Sequence, residues 1–174
     1  VQAVHAAVAA GEVGAAGAEG RPVVMATTTP VDLVTPLADL LELDDVVATR
    51  YGVDGNGGYD GTIDGEFVWG QGKLAAVRAW AEPRGILLRD SFAYSDSFYD
   101  IPLLSAVGHP TAVNPDLRLA AVATVRRWPA LHLDVPPGVA LPAVPGVVEP
   151  NASDGLVVAT ASGYTPRPRW PPSI

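Results

Sequence analysis

Asp96 and Asp100 stand four residues apart in Tyr94-Ser95-Asp96-Ser97-Phe98-Tyr99-Asp100-Ile101-Pro102-Leu103-Leu104, where strand composition gives way to helical spacing. Two carboxylates held together at the end of a buried strand repel each other and lose hydration unless a cation or hydrogen bonds compensate. A hard cation such as Mg2+ favours carboxylates placed in this way. The competing use of such a pair is capping, because an Asp at a helix start accepts backbone N–H bonds and complements the helix dipole. The surrounding chemistry has to decide between the two.

Two further stretches bear on that decision. Val23-Val24-Met25-Ala26-Thr27-Thr28-Thr29-Pro30 reads as an apolar strand breaking into hydroxyl residues where a helix begins. Thr29 is placed to cap that helix, Pro30 to take its first position, and Asp32 to complete a variant capping box. Leu33, Leu37, Leu40 and Leu41 then offer an apolar face at i, i+4, i+7 and i+8. Free N–H groups at a helix start, with the Thr27 hydroxyl at the strand tip, suit phosphate oxygens. Capping accounts for Thr29 and leaves Thr27 without a task. Further along, Gly70-Gln71-Gly72-Lys73 opens a helix with Leu74, Val77 and Ala81 at i, i+3 and i+7. A lysine at a helix start opposes the dipole, so Lys73 gains sense if it faces an anion. The segment is no P-loop: Phe67 replaces the first glycine, and Leu74 the hydroxyl residue that would hold magnesium.

A strand-end Thr, a helix-start Lys and a strand-end D-x-x-x-D, in this order, resemble the haloacid-dehalogenase-like hydrolase superfamily. The likeness is to its phosphoserine-phosphatase-like branch, subfamily IB, from about Arg21 to Asp134, including the stretch Val46-Val47-Ala48-Thr49-Arg50-Tyr51-Gly52-Val53-Asp54-Gly55. The resemblance implies an α/β core: a Rossmann-like parallel sheet with helices on both faces. It implies that Thr27, with Thr28 beside it, binds the transferring phosphoryl group, and that Lys73 neutralises charge on the phosphoryl oxygens and the nucleophile. Asp96 then matches the metal ligand and Asp100 its supporting acid. The implied cofactor is Mg2+, the substrate a small phosphate monoester, and the route a phosphoaspartate intermediate.

The departures are as informative. The family's nucleophile is the first Asp of a D-x-D motif on a central strand, and upstream of Thr27 the only acidic residues are Glu12 and Glu19. With Val1 as the first residue, the expectation is a core truncated at its N-terminus, a fragment of the catalytic unit. In the family's sheet the nucleophile strand lies between the strands ending at Thr27 and at Asp96, so the isolated chain is expected to be poorly stable. The substrate-selecting cap that the resemblance places between the first two motifs is likewise expected to be missing from this chain. Tyr99 stands where phosphoserine phosphatases usually carry Asn, so preference for phosphoserine does not follow. A non-catalytic phosphate- or metal-binding relative, keeping Thr27, Lys73 and Asp96 for structure, is the alternative.

The elements that must position these residues follow the same order. Val46–Thr49 reads as a strand, and Asp54 to Glu66 as a β-hairpin insertion with Thr62-Ile63 and Phe67-Val68-Trp69 in its return limb. A calcium loop does not fit, since Tyr59 and Gly65 fall where Gly and Glu are needed. Phe92–Ser95 is the strand before Asp96, and a short helix carries Ile101, Leu104 and Val107 with Gly108 placed as its C-cap. Pro110–Asn114, Asp116–Arg127 and Ala130–Leu133 read as strand, helix and strand, with Arg126-Arg127 a solvated helix end. Residues 1–20 form an Ala/Gly-rich remnant, helical in part, residues 21–134 the core, and residues 135–174 a mostly irregular tail holding nine of the 17 prolines.

Composition narrows the function further. No cysteine means no disulfide and no thiolate chemistry. His5, His109 and His132 lack ligand spacing, and no G-x-S-x-G elbow is present. A formal charge of −8 with 11 Lys and Arg argues against nucleic acid as a partner. No apolar run approaches the length of a membrane span, and the Ala-rich start lacks the basic region of a signal peptide, so a cytoplasmic location is expected.

Overall fold

The computed structural model describes residues 20–132. The readings made for residues 1–19 and for the Pro-rich tail lie outside them. Seven strands and four helices follow in the order β1 (Val24–Pro30), α1 (Val31–Leu40), β2 (Asp45–Thr49), β3 (Tyr51–Val53), β4 (Tyr59–Ile63), α2 (Gln71–Ala81), β5 (Phe92–Ser95), α3 (Ile101–Leu104), β6 (His109–Val113), α4 (Leu117–Arg126) and β7 (Ala130–Leu131). The expected α/β alternation with parallel strands is present.

The parallel strands form two pieces. β1 pairs with β2, Val24 opposite Asp45 through Thr27 opposite Ala48, with a register shift before Pro30. β5, β6 and β7 form the second piece, Phe92 opposite His109 and Ala112 opposite Ala130. Among the described residues, β1 pairs with β2 alone and β5 with β6 alone. Val23, Val24 and Met25 are all buried, the near-continuous apolar run expected of a parallel strand covered on both faces. One core nevertheless joins the two pieces: Leu74 and Val77 of α2 belong to the same buried cluster as Val24 and Val47 on one side and Ala93, Leu104 and Leu119 on the other. Truncating a wholly buried residue such as Leu104 or Leu119 to Ala would cost about 2–5 kcal/mol. No helix among the described residues is long and apolar enough to cross a membrane.

Several local expectations are corrected. β1 continues through Thr29, so Pro30 rather than Thr29 precedes α1, and no side chain caps that helix. Asp32 accepts from the Tyr59 hydroxyl at 3.0 Å instead of closing a capping box. The buried face of α1 is Val34 and Ala38, while Leu33 and Leu40 are 67% and 77% exposed. The β-hairpin forms from β3 and β4, and Phe67-Val68-Trp69 lies outside its return limb. α3 is a single turn ending at Leu104, and Ser105 takes the C-cap position expected of Gly108, whose N–H donates to the Leu88 carbonyl at 3.0 Å.

Candidate functional site

The loop leaving β5 is closed by its own side chains. Ser95 Oγ accepts from the Ser97 N–H at 3.1 Å and donates to Asp100 Oδ2 at 2.7 Å. Ser97 caps the 3-10 turn Phe98–Asp100, accepting from the Tyr99 N–H at 3.3 Å. Neither aspartate therefore does the capping. Asp100 precedes α3, yet its side chain bonds no backbone N–H there.

The Asp100 carboxylate instead grips Lys73, with Nζ 2.7 Å from Oδ1 and 2.8 Å from Oδ2. Both residues are 9% exposed and Ser95 is buried, so an ammonium, a carboxylate and a hydroxyl meet out of bulk water. Burial of two charges is tolerated only when they are paired and hydrogen-bonded, and here the remaining carboxylate valence is taken by Ser95.

Lys73 is held there by the way α2 begins. Gly70 precedes the helix at φ +56°, ψ −121°, a backbone region open essentially to glycine alone. A Cβ on Gly72 would collide with the Phe67 carbonyl, which accounts for the second glycine of the run. The Trp69 carbonyl accepts from Gly72 N at 3.0 Å and Lys73 N at 3.4 Å, while Val68 is pinned between two hydroxyls. Thr28 Oγ1 donates to the Val68 carbonyl at 2.9 Å, and the Val68 N–H donates to buried Thr49 Oγ1 at 3.2 Å. Thr28 thus fixes the approach to α2. Thr27 closes a local turn at the shifted end of β1, accepting from Thr29 N and donating to Thr29 Oγ1, both at 3.1 Å. α2 packs on β1, β2 and α3, so the helix bearing Lys73 touches the strand of Thr27 and the helix that follows Asp100.

Asp96 is different in kind. It is half-buried, and among the described residues its carboxylate accepts no hydrogen bond and pairs with no cation. No three Asp, Glu or His side chains gather among the described residues. One open carboxylate could serve a hydrated divalent cation that completes its shell with water and substrate oxygens, but does not suit a metal caged by protein alone. A separate cleft of about 410 Å3 between β2 and α2 is lined by Arg50, Asp64, Glu66, Val68 and Trp80, and by none of Thr27, Lys73, Ser95, Asp96 or Asp100.

Sequence reasoning missed Ser95 and Asp116. Asp116 accepts from Phe98 N at 2.7 Å, Leu119 N at 2.8 Å and Arg118 N at 2.9 Å. Burial pushes its carboxyl up, but the N–H donors of Leu119, Phe98 and Arg118 and the Arg118 charge outweigh that, leaving it below the ordinary carboxylate value. Only its position before a helix was visible in the sequence.

Residues 4–105 match the family described as haloacid dehalogenase-like hydrolase, more than half of the chain. The "Inhibition of morphological differentiation protein" of Streptomyces azureus is 39% identical over 149 residues, 82% of this chain and 53% of that one. A phosphoserine phosphatase of Mycobacterium tuberculosis is 37% identical over 144 residues, 82% of this chain and 46% of that one. The chain thus spans about half the length of these relatives. A crystal structure of a Bordetella pertussis protein of unknown function superposes with a TM-score of 0.65 at 32% identity, covering 71% of this chain and 56% of that one.

Proposed function

Because the chain belongs to the haloacid dehalogenase-like hydrolase family, we propose that it contributes to the site of a Mg2+-dependent phosphatase acting on a small phosphate monoester. The observation that carries this reading is the buried Lys73–Asp100–Ser95 cluster beside a carboxylate, Asp96, left open. Phosphoryl transfer asks a protein mainly to position charge, because the transition state spreads negative charge over three oxygens. Lys73, fixed by Asp100, is a preorganised cation of the kind that stabilises such charge. Thr27, at the end of β1, supplies a hydroxyl to the same oxygens, and Thr28 holds the lead into α2. Bound Mg2+ would add charge neutralisation between phosphate and nucleophile, with Asp96 as its ligand from this chain and Asp100 behind it as the group that orients Lys73.

The nucleophilic Asp that would form the phosphoaspartate has no D-x-D counterpart in these residues. Among the described residues β1 pairs only with β2 and β5 only with β6, which leaves an edge of each open for the nucleophile strand that the family resemblance places there, a second support for the reading.

The test is phosphate release by the full protein from phosphoserine and p-nitrophenyl phosphate, with and without Mg2+. Mg2+-dependent release that disappears in Asp96→Asn and falls on the order of a hundredfold in Lys73→Ala is expected. Metal-independent release would refute the assignment of Asp96. Phosphate and Mg2+ binding without turnover would favour the non-catalytic relative.

A further inference from the structure

Capping a helix needs one carboxylate oxygen, and Asp116 uses only Oδ1 for it, accepting from Arg118 N at 2.9 Å and Leu119 N at 2.8 Å. Oδ2 accepts from the N–H of Phe98, eighteen residues upstream, at 2.7 Å. The Asp116 N–H donates to the Asp96 carbonyl at 2.9 Å. Beside these bonds, the Arg118 guanidinium lies 3.6 Å from the centre of the Phe98 ring. The backbone on both sides of Ser97 is therefore fastened to the first turn of α4, a helix anchored in the core by wholly buried Leu119. The bonds among Ser95, Ser97 and Tyr99 set the curl of the loop. Those to Asp116 tie it to a second rigid element.

We propose that Asp116 is a positioning residue for the cation site: by clamping residues 96 and 98 to α4, it sets the direction in which the Asp96 carboxylate leaves the loop. The role in cation binding rests on the reading of Asp96 as a metal ligand; the clamp does not.

Two variants separate clamp from cap. Asp116→Ser keeps a residue that caps as well as Asp but has no second oxygen to reach Phe98. Asp116→Asn keeps the cap through its carbonyl oxygen and turns an NH2 donor towards the Phe98 N–H donor. In the metal-free full protein, amide exchange at Phe98 accelerates about tenfold or more in both variants while the amides of α4 keep wild-type protection. Mg2+ affinity measured by titration calorimetry falls roughly 10–100-fold, the range typical when a group orienting a metal ligand is removed, and kcat recovers at saturating Mg2+. Wild-type exchange at Phe98 in Asp116→Ser overturns the clamp. Faster exchange with unchanged Mg2+ affinity, where Asp96→Asn abolishes binding, overturns the positioning role alone. Mg2+ binding that survives Asp96→Asn overturns the reading of Asp96 itself, and the positioning role with it.

Discussion

Replacing Lys73 by Met tests whether the buried ion pair is the built centre of the site. At an effective dielectric of about 20, two charges about 3 Å apart attract by about 5 kcal/mol before desolvation is subtracted. Desolvation of both groups cancels most of that, so the pair as a whole adds little to stability. Removing one partner is another matter. Met fills the stem of Lys73 within α2 but leaves the Asp100 carboxylate buried with Ser95 as its one remaining donor among the described residues. Breaking a buried pair costs about 3–5 kcal/mol, and the retained Ser95 bond offsets about 1 of it, so a loss of about 2–4 kcal/mol is expected. Urea unfolding of the full protein without metal measures it, with an unchanged m-value showing that the folded and unfolded states are otherwise alike. The double variant Lys73→Met with Asp100→Leu should regain about 1–3 kcal/mol over Lys73→Met, since no uncompensated charge then remains. A Lys73→Met loss below about 0.5 kcal/mol would mean that water screens the pair, and the argument for a preorganised cation would collapse.

Other perturbations probe the surroundings. Mg2+ at about a hundred times its dissociation constant should stabilise the full protein by about 2.7 kcal/mol, seen as a rise in Tm, and Asp96→Asn should abolish the rise; an equal rise in that variant would place the ion elsewhere. Gly70→Ala forces a Cβ into a backbone region costing about 1–3 kcal/mol, so a lower urea midpoint and weaker turnover are expected together, and a neutral effect on both would contradict the strain. At the hairpin turn, Asp54 Oδ1 accepts from Asn56 N at 2.8 Å and Gly58 N at 2.9 Å. Its carboxyl lies below the ordinary 3.8, chiefly through the Gly58 N–H and then that of Asn56. A lowered folded value means that the turn's support is complete above the ordinary carboxylate range and is lost as pH falls through the lowered value. Carboxyl-carbon NMR should therefore give Asp54 a midpoint under 3.8, with exchange at Asn56 and Gly58 quickening below it; a midpoint at or above 3.8 would contradict the bonding.

The parts of the site carried by short-range pattern were legible. Lys73 reads as the start of a helix because Leu74, Val77 and Ala81 keep helical spacing, and those three are buried in α2. What the spacing could not give was choice among candidates of equal quality. Leu33, Leu37 and Leu40 lie in α1 and Leu41 just past it, as bulky as any apolar residue there, but the strand runs on through Thr29 and Pro30, so the helix starts at Val31 with its phase set by the strand end. Val34 and Ala38 then face inward, where smaller side chains let the helix approach the β1–β2 pair, and Leu33 and Leu40 turn out. Thr29 lost its capping role for the same reason. Asp116 was legible as a helix start and illegible as a clamp, because its second partner is eighteen residues away and no periodicity reports such a bond.

The arrangement of α2 shows why the sheet's division bears on the chemistry. Val77 is wholly buried in a core shared by β1, β2, β5 and β6, so α2 fixes the two parallel pieces relative to each other and carries Lys73 at its first turn. A helix packed on two strands can align their tips through side chains, but it cannot pair their backbone N–H and C=O groups. Thr27 lies three residues before the end of β1, where its pairing shifts, and Asp96 directly follows β5; among the described residues each of these strands is paired along one edge. In open parallel sheets, ligands gather outside the carboxyl ends of strands. On the reading proposed above, a strand from outside the described residues would pair with the edges of β1 and β5 left open among those residues, and would bring its nucleophile to the same end of the sheet as Lys73.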